Sequence, residues 1–264
     1  MVTGVGGEAP ASVFVNPAIR YQEIEGFGGA FTEASALTYC KLPEERQAEL
    51  LRAYFDPNHG LGYTLCRTHI NSCDFSLGNY AYDEVDGDID LRHFSIDRDR
   101  QALIPLIQAA QQAAGRQIKL LASPWSPPAW MKTNGDMCHG GKLKPEYRDA
   151  WAAYLCRTIR EYEHEGIAIW GLTVQNEPEA VQTWESCIYT AEEERDFVRD
   201  YLGPALAQNG LSDVRLLICD HNRDRMVERA CAVPVSYTHL DVYKRQVSSI
   251  GVRLRDVSRL APNT

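Results

Sequence analysis

The sequence predicts an α/β fold, an incomplete (β/α)8 barrel of about five β/α units. Two observations carry this. Apolar runs of strand length, rich in β-branched residues, alternate with stretches of helical periodicity, a pattern that demands parallel strands joined by right-handed crossovers. Polar and aromatic residues then gather just past the carboxyl ends of consecutive runs, where barrel enzymes keep their chemistry. A doubly wound dinucleotide-binding sheet is the main competitor, but the only glycine-rich turn, Gly26-Phe27-Gly28-Gly29, does not match its fingerprint.

The elements follow in order. The first strand is expected over residues 23–27, followed by a helix over 32–39; the second strand, over 63–70, combines β-branched and aromatic residues. A helix over 97–114 places Leu103, Ile104, Ile107 and Ala110 at helical spacing ahead of a third strand at 118–122. A helix near 145–164 leads into the fourth strand, 167–174. Thr190, with Glu193 three residues on, forms a capping box opening a helix over 191–209, and the fifth strand follows at 214–219. Strand starts are about 48 residues apart, so eight units would need roughly 380 residues and this chain holds five. Residues 1–20 read as an N-terminal segment with a candidate strand of a flanking β-sandwich near 11–16, and residues 21–233 as the partial barrel. In residues 234–264 the pattern fails: Pro-Val-Ser-Tyr-Thr-His-Leu-Asp-Val-Tyr-Lys-Arg-Gln, at 234–246, resembles cloning or adaptor read-through, so this tail is expected to be foreign or frame-shifted and to add no strand beside the fifth.

Composition bounds the function. The chain has 264 residues, 44% of them hydrophobic, enough for a real core, and a net charge of -9 that argues against a nucleic-acid partner. No run of 18 apolar residues is present and the first residues lack the regions of a signal peptide. The chain as written therefore reads as soluble and cytoplasmic, secretion remaining open if the N-terminus is incomplete. Its eight cysteines are read as free thiols, since Cys66 and Cys219 fall inside buried strand-like runs.

The chemistry sits at the strand ends. The second run closes with Arg67-Thr-His-Ile-Asn-Ser-Cys-Asp-Phe-Ser, the third with Ala122-Ser-Pro-Trp-Ser-Pro-Pro-Ala-Trp-Met-Lys-Thr-Asn-Gly, and the fourth with Gln175-Asn-Glu-Pro. Read alone, Glu177 could equally cap a helix, because Pro178 suits a first helical position. Together with Gly26-Phe-Gly-Gly-Ala-Phe-Thr-Glu, these four motifs resemble glycoside hydrolase family 30, the glucosylceramidase family, over residues 21–232. The resemblance implies that Glu177 is the general acid/base and that Asn176 holds the sugar 2-hydroxyl. It implies that Asp74, whose plainer role is a turn cap, accepts bonds from hydroxyls across the ring, with Phe75 beside it. Trp125, otherwise core packing, would stack on the pyranose face; Trp130 would be a subsite wall or structural. Arg67 would keep the attacking carboxylate ionised, unless it is a plain salt bridge inside the barrel. No cofactor is implied, and the substrate would be a β-glucoside, glucan or glycolipid.

A retaining mechanism needs a second carboxyl about 5–5.5 Å from the first. In the family that nucleophile ends strand seven, roughly a hundred residues after the acid/base, which falls beyond Thr264. The nucleophile is thus expected to be absent and the fragment inactive. Glu33, Glu179 and Glu185 do not inherit the role. The acidic run at 83–90 imitates a calcium loop, but Leu91 stands where glycine is required, so it reads as a solvated loop. Cys138-His139 and His164-Glu165 lack partner ligands, and no metal is expected. The rival from another class is a non-catalytic carbohydrate-binding barrel. Within the family, endo-β-1,6-glucanase, β-glucosidase and β-xylosidase activities compete with glucosylceramidase. No Gly-x-Ser-x-Gly elbow supports an acyl hydrolase.

Overall fold

The computed structural model describes residues 16–20, 23–232, 240–242 and 250–252. In chain order the elements are β1 (Ile24–Phe27), β2 (Ala30–Phe31), α1 (Glu33–Cys40), α2 (Glu44–Phe55), β3 (Leu65–Ile70), α3 (Asp97–Gln101), α4 (Leu103–Ala114), β4 (Lys119–Pro124), α5 (Arg148–His164), β5 (Ile169–Thr173), α6 (Ala191–Phe197), α7 (Gly203–Gln208), β6 (Arg215–Ile218), α8 (Met226–Ala232), β7 (Leu240–Val242) and β8 (Ile250–Val252). One sheet runs β2-β3-β4-β5-β6-β7 with every pair parallel, and it is not closed. This is the partial barrel that the alternation of strand and helix predicts.

The helices form the outer layer. Along α4 the buried residues Leu103, Ile104, Leu106, Ile107 and Ala110 face the core, and along α5 Trp151, Tyr154, Leu155, Ile159 and Tyr162 do the same. Within the sheet, Gly171 of β5 leaves room that side chains from both neighbours fill: a Cβ there would lie 3.1 Å from Leu217 and 3.2 Å from Leu121.

Several expectations need correction. The barrel's first strand is β2, not the apolar run at 23–27. β1 pairs antiparallel with β8 instead, and Ala30 and Phe31 lie opposite Arg67 and Thr68. Gly28 permits this, because a Cβ on it would come within 1.8 Å of the Leu65 carbonyl oxygen. The helix expected over 97–114 breaks at Ala102, since Pro105 has no N–H to continue it, and α4 starts afresh with that proline in its first turn. The helix over 191–209 widens into a π-helical turn at Val198–Leu202 just before Gly203-Pro204, for the same reason. Helix α2 was not anticipated. The tail also differs: Leu240–Val242 form a parallel strand on β6, in register Leu216 to Leu240 and Ile218 to Val242. The open edge of β6 offers unpaired N–H and C=O groups, which a short backbone segment satisfies whatever its side chains. The acidic run is partly anchored: Asp83 is buried and its Oδ1 accepts the Val85 amide at 3.1 Å, although most of the following residues are exposed. The strand expected near residues 11–16 falls outside the described residues save Asn16.

Candidate active site

Four parallel strands, β3 to β6, deliver polar groups to the carboxyl edge of the sheet. Backbone pairing continues past β5: Val174 N–H donates to the Leu217 carbonyl at 3.1 Å, Asn176 N–H to the Pro124 carbonyl at 2.8 Å and Glu177 N–H to the Asp220 carbonyl at 2.8 Å. Glu177 is thereby held between the ends of β4 and β6. Its φ of 47° is left-handed, a conformation that costs a non-glycine residue roughly 1–2 kcal/mol. Asn71 after β3 (φ 60°) and Cys219 after β6 (φ 57°) share it. Strain of this kind persists where surrounding bonds over-determine it and re-aim a side chain, and it clusters at functional sites.

Arg67 of β3 is the hub. Its Nη2 donates to Asn176 Oδ1 at 2.9 Å and to Asp220 Oδ2 at 2.5 Å, and its Nε donates to Ser123 Oγ at 3.0 Å. Ser123 Oγ in turn donates to Asp220 Oδ2 at 3.1 Å. The guanidinium lies over the Trp125 ring, 4.5 Å from its centroid, and Gln175 Nε2 donates to the Trp125 carbonyl at 2.7 Å. Trp125 and Asn176 are buried and Glu177 is half-buried. Arg67, Trp125, Asn176 and, through its backbone, Glu177 therefore share one cluster.

The remaining predicted residues lie elsewhere. Asp74 and Phe75 follow β3 at the same edge, but both are exposed and neither side chain joins the hydrogen-bonded cluster. Trp130 is built into a wall: its Nε1 donates to the Asp83 carbonyl at 3.1 Å, it packs edge-on to Tyr147 at 5.0 Å, and it lines a separate cleft of about 460 Å³ with Ala81, Glu84 and Lys144. Arg67 makes the barrel salt bridge that was its plainer alternative. Asp220, Ser123 and Gln175 went unread. The signal for Asp220 was an acid directly after the fifth apolar run, the same placement that singled out Glu177.

Two of the other acids are engaged. Glu33 accepts from Arg98 Nε at 2.8 Å and the Leu77 amide at 2.7 Å; burial works to raise its pKa, but these bonds outweigh it and lower it. Glu179 pairs with Arg225 and Arg229 at 2.8 and 2.9 Å. His69 Nδ1 lies 2.6 Å from the Asn71 carbonyl and its Nε2 accepts the Glu33 amide at 3.2 Å, so the imidazole ties α1 to the end of β3. No helix among the described residues is long and apolar enough to cross a membrane.

Comparison with known proteins places the chain in a family. Residues 24–254 match the glycosyl hydrolase family 30 TIM-barrel domain. Lysosomal acid glucosylceramidase of Mus musculus is 36% identical over 267 residues, covering 95% of this chain and 52% of that protein. An endo-1,6-beta-D-glucanase of Neurospora crassa is 31% identical over 216 residues, covering 79% and 44%. The crystal structure of SrfJ from Salmonella typhimurium superposes with a TM-score of 0.76 at 46% identity, over 79% of this chain and 46% of that one. The chain spans about half the length of the curated relatives it matches. It belongs to glycosyl hydrolase family 30.

Proposed function

We propose that the chain is the amino-terminal part of a retaining β-glycosidase in which Glu177 is the general acid/base. The observation that carries this reading is the seating of Glu177 beside Asn176 at the carboxyl end of β5, on left-handed backbone, with Asn176 bonded to Arg67, whose guanidinium lies over Trp125. Asn176 binds the sugar 2-hydroxyl, a contact that strengthens as the ring approaches an oxocarbenium ion. Trp125 offers its ring to the pyranose, and Asp74 and Phe75 close the subsite from the β3 loop. Glu177 protonates the glycosidic oxygen while a second carboxylate attacks the anomeric carbon; Glu177 then deprotonates the water that releases the sugar. That second carboxylate is contributed by a later strand that this chain lacks. The substrate is a β-glucoside, in a glucan or a glycolipid, consistent with what the named relatives act on.

Residues 234–264 are foreign or frame-shifted, because strand and helix periodicity stops at residue 234 and the β7 pairing needs only backbone groups at the open edge of β6. Reading the gene through codon 234 tests it. Expressed with its uninterrupted continuation, the protein hydrolyses aryl β-glucosides or β-1,6-glucan. Glu177→Gln slows substrates with poor leaving groups by about 10²–10⁴-fold and spares the glycosylation step of activated aryl glycosides. The 264-residue chain alone should show no turnover. Robust Glu177-dependent hydrolysis by this chain, or an intact protein that binds sugar without cleaving it, contradicts the proposal.

A further inference from the structure

We propose that Asp220 is a positioning residue for sugar recognition, orienting Asn176 through Arg67; the inference rests on the glycosidase reading above. Asp220 lies two residues past β6, after Cys219, and is fully buried. Its side chain closes a ring of three hydrogen bonds: Arg67 Nε to Ser123 Oγ at 3.0 Å, Ser123 Oγ to Asp220 Oδ2 at 3.1 Å, and Arg67 Nη2 to the same Oδ2 at 2.5 Å. Two donors on one planar guanidinium fix its rotation, and it rests over the Trp125 ring. Nη2 can then reach Asn176 Oδ1 at 2.9 Å. That bond decides which way the amide faces: the oxygen is turned to Arg67 and the Nδ2 group to the opposite side. An amide free to flip would present acceptor or donor to a sugar hydroxyl indifferently; this one is set.

Two further features separate Asp220 from an ordinary barrel ion pair. Its backbone carbonyl accepts the Glu177 amide at 2.8 Å, so one residue holds both members of the Asn-Glu pair, Asn176 through its side chain and Glu177 through its main chain. Its other carboxylate oxygen, Oδ1, is buried with no hydrogen-bond partner among the described residues. Leaving a buried carboxylate oxygen unsatisfied works against stability, so the residue is poorly explained as a device for stability alone.

The test is a coupling measurement on the uninterrupted protein, comparing 4-nitrophenyl β-glucoside with its 2-deoxy analogue. For each substrate the variant is divided by wild type, so intrinsic reactivity cancels. Asp220→Asn keeps the shape and removes the charge. It should lower kcat/KM on the glucoside by about 10–100-fold, the range for a charged hydrogen bond, and on the 2-deoxy analogue by about threefold at most, because the contact it supports is already missing there. Ser123→Ala, a small change within β4, should show the same selectivity at smaller size. It carries the test if Asp220→Asn does not fold. Equal losses on both substrates overturn the positioning role, because a general structural defect does not sense the 2-hydroxyl. Glu177→Gln, run alongside with a poor leaving group, keeps the failures apart. If it is slow while Asp220→Asn lacks selectivity, only the role of Asp220 falls; if it is as fast as wild type, the glycosidase reading falls too.

Discussion

Replacing Lys132 with Met should change the pH dependence of stability. Lys132 is fully buried, and its Nζ donates to the Met137 carbonyl at 2.9 Å and the Ser186 carbonyl at 2.5 Å, stapling the loop after β4 to the loop after β5. Burial pushes its pKa down from 10.5 to about 8, with Cys187, Asp136, Cys138 and Glu185 pulling weakly the other way. Between those two values the unfolded chain holds a proton that the folded chain has released. Unfolding free energy therefore rises with pH across this window, at about 1.4 kcal/mol per pH unit and roughly 3 kcal/mol in total. Below pH 8 both states are protonated and the folded state bears the full cost of a buried ammonium. The buried thiols of Cys66, Cys156 and Cys219, pushed up to about 11 by burial, act in the opposite sense, because unfolded thiols ionise first. They are common to both proteins and cancel in the difference. Urea unfolding of the uninterrupted protein and its Lys132→Met variant from pH 7 to pH 10.5 should thus show the wild-type advantage growing with pH by roughly 3 kcal/mol. A constant or shrinking difference would refute the reasoning.

Two further perturbations have expected outcomes. Gly28→Ala places a Cβ within 1.8 Å of the Leu65 carbonyl oxygen, pushing β2 off β3; a loss exceeding about 2 kcal/mol is expected, and an unchanged melting temperature would show that the strands can part cheaply. Arg229→Ala strips the buried Glu194 of its partner at 2.8 Å and should cost about 3–5 kcal/mol. Burial already raises the Glu194 pKa against the pull of Arg229, so Glu194→Gln in that background should recover part of the loss in thermal unfolding.

The strands β3 to β6 were legible because each is an apolar run long enough to be buried on both faces, and the motifs at their ends were legible because function leaves polar residues where a core element should stop. β2 was not, since two residues carry no periodicity and their place is set by pairing with Arg67 and Thr68. Helix α2 had a readable signal, with Glu44 and Glu45 in its first turn after Pro43, but lay in a connection that the strand count passed over. Asp220 shows the limit of reading motif by motif. Its place after the fifth apolar run marks it as a candidate, but its role comes from Arg67 and Ser123, 153 and 97 residues away. Trp130 shows the converse: its motif placed it near the site, and its indole bond to Asp83 turns it into a wall.

The central claim, that Glu177 serves a double displacement at a β-glucosidic bond, is tested most directly by following the anomeric protons of the sugar released by the uninterrupted protein with NMR before mutarotation. Two inversions return the starting configuration, so the account predicts that the β-anomer forms first and the α-anomer grows in only as mutarotation proceeds. Initial release of the α-anomer would mean a single displacement and would contradict the account.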